Sequence, residues 1–339
     1  VTDKAILEVR DLRVDFPTDD GVVHAVRGVS FDVHHHDVIG IVGESGCGKS
    51  VTSLAIMGLL PRNAQVSGSI RLRGQEMVGA SRRDLREMRG SRIAMIFQDP
   101  MTAMNPVYTV GWQISEAIRA HQDVSVKKAM TQSVELLDLV GIPQPDQRAN
   151  QYPHEFSGGM RQRAMIAMAI ANQPEILIAD EPTTALDVTV QAQVLETLMR
   201  LKNELRAAIV LITHDLGVVA GMVDTVNVMY AGRVVESGVV DDIFYQPTMP
   251  YTVGLLGSIP SLEGRQGRLT PIAGAPPSLI NLRPGCPFSA RCPLVQSDCL
   301  VAEPPMTQVG ETHHVACYRA ESVRSMEKPS EMFVGEAAS

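Results

Sequence analysis

The segment Gly43-Glu44-Ser45-Gly46-Cys47-Gly48-Lys49-Ser50 fits the pattern G-x-x-x-x-G-K-[ST]. It follows the short β-branched run Val38-Ile39-Gly40-Ile41-Val42 and precedes a helical stretch from Val51 to Leu59. A run of that kind reads as a strand buried on both faces. Strand, glycine turn and helix in succession form a cradle for phosphate. The glycines let consecutive N–H groups point inward, and the helix start adds the positive end of its dipole. Lys49 reaches toward β- and γ-phosphates, and Ser50 offers a hydroxyl to Mg²⁺. Cys47 reads as a small tolerated residue of the turn rather than a nucleophile.

The pattern around this loop is α/β. Strands are expected near 6–16, 22–33, 66–73, 92–97, 176–179 and 208–212, with a hairpin near 226–237 and a helix near 188–205. Between about 100 and 165 the spacing of Ile114, Ala117 and Ile118 and of Val134, Leu137 and Val140 is helical, which predicts an inserted helical subdomain. Beyond about 246, prolines such as Pro250, Pro276, Pro277, Pro284 and Pro287 forbid long regular elements. The expected division is a nucleotide-binding domain over 1–250 (helical part about 100–165), a loop-rich domain over 251–325 and a flexible tail over 326–339.

Two further segments bear on phosphate chemistry. Ile176-Leu177-Ile178-Ala179 is an apolar strand that ends in Asp180 and Glu181. Alone, such acids read as a helix cap or a solvated turn. Beside the loop at Lys49 they read as a Mg²⁺ ligand, Asp180, and a group that polarises water for attack on a γ-phosphate, Glu181. Phe156-Ser157-Gly158-Gly159-Met160-Arg161-Gln162 precedes a helix, with Ser157 as a natural N-cap and two glycines that leave free N–H groups. A chain with one complete phosphate loop needs no second cradle for the same phosphate, so this one is expected to serve a nucleotide held by another subunit.

Together these segments resemble the ATP-binding subunits of ABC transporters, and within them the D-type ATPases of bacterial dipeptide and oligopeptide importers. The resemblance runs from Ile6 to about Tyr318. It rests on Gly43–Ser50, on Ile96-Phe97-Gln98-Asp99-Pro100, on Ser157-Gly158-Gly159, on 176–181, on Ala185-Leu186-Asp187 and on Thr213-His214-Asp215. Phe156 and Met160 stand where the general signature has Leu and Gln. The fold implied is an ABC-type P-loop domain, a RecA-like core plus helical subdomain, with a small cysteine-containing C-terminal domain. Catalytic roles are implied for Glu181, His214 and Gln98. Nucleotide contacts are implied for residues Gly43 to Val51, Gln98, Asp180, Asp187 and the partner-facing Ser157, Gly158 and Gly159, and Mg²⁺ contacts for Ser50, Gln98 and Asp180. Phe16 stacks on adenine under this reading, or is a core aromatic.

Cys286-x5-Cys292-x6-Cys299-x17-Cys317 lacks the tight pairs of a zinc ribbon. Loosely spaced thiolates on loops suit a [4Fe–4S] cluster, with zinc (helped by His313 or His314) and reduced or partly disulfide-bonded cysteines as alternatives. The net charge of −8 offers no broad basic surface for nucleic acid. The longest apolar run, Ala164 to Ala171, is far short of the about 20 residues that cross a bilayer. No export signal is visible, so a cytoplasmic location is expected, and the resemblance implies a peripheral place at the cytoplasmic face of a membrane. The resemblance implies ATP and Mg²⁺ as ligands. As partners it implies a sibling ATP-binding subunit, two integral membrane permease subunits and, indirectly, an extracytoplasmic peptide-binding protein. ATPases for nickel or another solute, and soluble ABC ATPases of DNA repair or translation, are the competing readings.

Overall fold

The computed structural model describes residues 4–184, 186–258 and 272–333. The chain forms two compact units, each built from separated stretches. One takes the N-terminal residues to Ile6, Val33–Asp37 and Gln75–Ile212; the other takes Leu7–Asp32, Val38–Gly74 and Thr213–Ser339. Among the described residues no helix is long and apolar enough to cross a membrane.

The first unit holds a parallel sheet in which Ile176–Asp180 lies between Ile93–Ile96 and Ala208–Thr213. Ile93 pairs with Ile176, and Ile176 with Ala208. Every residue of these three strands is buried, as expected of unbroken apolar runs covered on both faces. Parallel neighbours need long crossovers. The second crossover contains the helix Val188–Leu205, and the first contains the expected helical insertion. There Val110–Arg119, Val126–Leu139 and Gly158–Ala169 pack on one another and bury Ile114, Ile118, Ala129, Leu137 and Ile166. Each starts where a hydroxyl accepts from the first turn: Thr109 from Trp112 N, Ser125 from Lys128 N and Ser157 from Met160 N.

The second unit has an antiparallel layer with Leu7–Thr18 between Gly21–Val33 and Gln65–Leu72. A bulge between Arg10 and Arg13 interrupts its register, and Gly68 lies against it at φ 94°. A Cβ at Gly68 would stand 2.4 Å from the Asp11 carbonyl oxygen, so only glycine fits. The phosphate-loop strand Val38–Val42 pairs in parallel with Thr225–Tyr230, which forms an antiparallel hairpin with Arg233–Val239.

The proline-rich C-terminal stretch joins this same sheet instead of standing apart. His314–Val315 pairs with the hairpin at Ser237 and Glu236, and Thr307–Gln308 pairs outside it. The unit boundary therefore differs from one drawn at residue 250 on proline content. The tail expected from 326 contains a 3₁₀ turn, Pro329–Phe333, with Phe333 buried; residues 334–339 lie outside the described residues.

Charge also fastens the C-terminal stretch. Glu303 accepts from the guanidinium groups of both Arg27 and Arg233. Burial pushes its carboxyl up, but the two arginines more than offset this and hold it below the usual carboxylate range. Replacing Glu303 by Gln should cost about 2 kcal/mol of stability at neutral pH, as for loss of hydrogen bonds to a charged group. The folded carboxyl is the stronger acid, so its contribution is present above the ordinary carboxylate range and is lost as pH falls through the folded value. Thermal melts of wild type and Glu303→Gln should therefore separate clearly at pH 7 and converge below about pH 4. An equal gap at both would show that the ion pairs are not what holds this stretch.

Candidate functional site

The glycine loop leaves Val42 and turns into the helix Lys49–Ile56. Two glycines are fixed by crowding as well as by φ. A Cβ at Gly43 (φ 152°) would meet the Met229 carbonyl oxygen at 2.2 Å, and one at Gly48 (φ 104°) would meet that of Ala25 at 2.4 Å. Gly232 N donates to Cys47 O at 3.0 Å, and Thr52 Oγ1 to Gly48 O at 2.9 Å. Lys49 is 4 % exposed, and its Nζ donates to Gly43 O at 2.8 Å and Glu44 O at 3.0 Å. Ser45 and Gly46 face solvent, and Ser50 and Val51 are half-buried. Burial pushes the Cys47 thiol up, which agrees with an inert residue of the turn.

The loop is held from far along the chain. Glu44 N donates to Tyr251 Oη at 2.8 Å, and the Glu44 carboxylate accepts two hydrogen bonds from Arg291. Neither partner was expected from the sequence. Phe16 is half-buried on Leu7–Thr18, and His214 is exposed directly after Ala208–Thr213. Asp215 caps the next helix by accepting from Gly217 N.

The other unit carries the acids. Asp180, 4 % exposed, ends the central strand. Glu181 follows at φ 46°, a left-handed conformation costly for a side chain of this size. Its N–H donates to Ile212 O at 2.8 Å, which pins the turn to the neighbouring strand. Gln98 Nε2 donates to Glu181 Oε2 at 3.1 Å, and Thr184 Oγ1 donates to the same oxygen at 2.9 Å. The structure thus joins the two expected catalytic residues Gln98 and Glu181. It adds Thr184, whose only sequence signal is a hydroxyl three places after an acid.

In the signature segment Ser157 caps Gly158–Ala169, and Phe156 is buried as its anchor. Gly159 lies where a Cβ would come within 2.3 Å of Val190 Cγ1. Val190 belongs to the helix Val188–Leu205, whose N-cap is Asp187, accepting from Val190 N at 3.0 Å. Ala185 lies outside the described residues.

Among the described residues, no group of three or more His, Cys, Asp or Glu is placed to hold a metal ion. Cys286, Cys292, Cys299 and Cys317 are free thiols. Burial, and secondarily their closeness to one another, raises Cys292 to about 11 and Cys317 to about 12 and pushes Cys286 up. His313 is engaged elsewhere: its Nε2 lies 2.8 Å from Oε1 of the fully buried Glu236, which also accepts from Thr248.

Comparison with known proteins gives two family matches, ABC transporter over residues 26–184 and oligopeptide/dipeptide transporter, C-terminal region, over 235–299. The chain is 57 % identical over 320 residues to the oligopeptide transport ATP-binding protein OppD of Mycobacterium tuberculosis, covering 94 % of this chain but 52 % of that one. It therefore spans about half the length of this mycobacterial relative. It is 53 % identical to the dipeptide transport ATP-binding protein DppD of Bacillus subtilis, covering 92 % and 94 % of the two chains. The fold is similar to that of the ATP-binding cassette MJ0796 in its dimeric post-hydrolysis state, with a TM-score of 0.62 at 23 % identity over 69 % of this chain and 98 % of that one.

The contact at Gly159 can be tested. Gly159→Ala should force the two helices apart and cost about 1–3 kcal/mol, the range for overpacking. Val190→Ala in the same chain should restore most of that loss in denaturant melts. A single variant as stable as wild type would show that the helices yield freely.

Proposed function

The chain belongs to the ATP-binding subunits of ABC transporters, in their oligopeptide and dipeptide branch, and from that premise we propose that it hydrolyses ATP to drive peptide import through a membrane permease. The observation that carries the ATPase reading is the hydrogen-bonded group Gln98–Glu181–Thr184 at the end of a buried strand, in a chain that also holds a phosphate loop. The peptide reading is supported by the C-terminal region matched over 235–299 and by relatives that carry peptide-transport names.

In this reading Lys49 and the N–H groups from Gly43 to Val51 bind the phosphates, and Phe16 stacks on the adenine. Oxygen donors suit a hard cation: Ser50 Oγ, Asp180 and Gln98 would hold Mg²⁺, which when bound neutralises charge on the β- and γ-phosphates. Glu181, oriented by Gln98 and Thr184, positions the attacking water. His214 donates to the γ-phosphate. Ser157, Gly158 and Gly159 meet the nucleotide of an opposing ATP-binding subunit, a sibling chain, and Asp187 couples the two sites. Closure and reopening of that pair would move two integral membrane permease subunits, which receive peptide from an extracytoplasmic binding protein. The chain would sit peripherally at the cytoplasmic face. Docking on the permease falls to the region 98–115, where Val107, Tyr108 and Trp112 are exposed and the last two rings stack at 4.1 Å.

For the cysteines we keep the iron–sulfur reading as a proposal, on their loose spacing in loops and on the backbone bond from Cys286 N to Cys299 O at 2.7 Å. Anaerobically purified chain should be brown with about four irons per chain, and Cys292→Ser should bleach it. Colourless chain with stoichiometric zinc, or with no metal, would overturn this reading.

Glu181→Gln should bind ATP as wild type does while turnover falls by about 100-fold or more, since positioning and electrostatics carry phosphoryl transfer. The wild-type chain, purified from membranes, should bring with it two integral membrane proteins. Undiminished turnover in Glu181→Gln would remove its role, and copurification with nucleic acid in place of membrane proteins would overturn the transport reading.

A further inference from the structure

We infer that Arg291, in the cysteine-bearing loop, is a positioning residue for nucleotide binding, acting through Glu44 of the phosphate loop. The inference rests on the ATPase reading and goes beyond it, because it gives the C-terminal stretch a part in holding the nucleotide.

Arg291 ends the 3₁₀ turn Ser289–Arg291, between Cys286 and Cys292. Its guanidinium meets Glu44 with both prongs, Nη1 to Oε2 at 2.6 Å and Nη2 to Oε1 at 2.8 Å. The side chain of Arg291 is 5 % exposed. Nε donates to Ala273 O at 3.0 Å, Nη1 to Tyr230 Oη at 3.3 Å and Nη2 to Ile272 O at 3.4 Å. The guanidinium also lies 5.9 Å from the centre of the Tyr230 ring and 5.8 Å from that of Phe288. Few surface ion pairs are so fixed; a two-pronged, largely buried pair has a single geometry.

Glu44 is the second residue of a loop that takes phosphate, and a bare carboxylate there would repel it. Arg291 cancels that charge. It also fixes the loop mechanically. The side chain of Glu44 is held by Arg291, its N–H by the buried Tyr251, and its carbonyl accepts from Lys49 Nζ. Three groups of one residue are thus tied, and two of the ties come from residues beyond 250. Tyr230, Tyr251 and Phe288 pack as one aromatic cluster with centroids 4.5 to 5.4 Å apart, so the ties share one rigid base.

The test is MgATP affinity and steady-state turnover in the full chain with three variants. Arg291→Met should weaken MgATP binding about tenfold, or about 1.4 kcal/mol, through KM with little change in kcat. Arg291→Lys keeps the charge but not both prongs and should weaken it about threefold. Arg291→Met with Glu44→Gln should regain most of the affinity lost in Arg291→Met, because the repelling charge is gone. A merely packing role for Arg291 would leave the double variant as weak as the single one, and that result would overturn the inference. So would wild-type affinity in Arg291→Met. If Arg291→Met does not fold by circular dichroism, wild-type affinity in the folded Arg291→Lys variant overturns it instead. A wild-type chain that binds no nucleotide would overturn the ATPase reading itself, and this inference with it.

Discussion

A strand buried on both faces has nowhere to put a polar group except at its end. Val38–Val42 ends in the glycine loop, Ile176–Asp180 ends in Asp180 and Glu181, and Ala208–Thr213 ends before His214. Each strand is a stiff apolar rod whose pairing fixes where its last residue stands. Glu181 shows how tight that control is. Its backbone is forced to φ 46° and tied to Ile212, and two further side chains then bond its carboxylate. The strain is sustained by a sheet without an exposed residue in any of its three strands.

Much of this was legible because the signals are local. The phosphate loop, the acids after a strand and the Ser157 cap each lie within a few residues, where periodicity and turn chemistry operate. The helical insertion was legible for the same reason. What stayed hidden is non-local. Glu44 and Arg291 are 247 positions apart, and nothing in either neighbourhood points to the other. The interleaving of two units from separated stretches is equally silent, since proline content marks where regular structure stops and not which body a segment joins.

The C-terminal stretch was read as needing a metal staple, because it is short and poor in regular elements. In the structure other forces hold it: Glu303 between two arginines, Arg291 on Glu44, Phe288 against two tyrosines, and a short strand added to a sheet edge. A chain that borrows an existing sheet and an existing aromatic base needs far less core of its own. That economy is invisible to any argument that treats the segment as a separate body.

The order in which the ribosome releases these pieces matters. One unit is complete once residue 212 has emerged, but the strand beside Val38–Val42 comes from 225–230 and the anchors of Glu44 from 251 and 291. During synthesis the glycine turn is among the first segments made and among the last to gain its supports. A chain halted before residue 291 would carry every residue of that turn without the two-pronged Arg291 tie on Glu44.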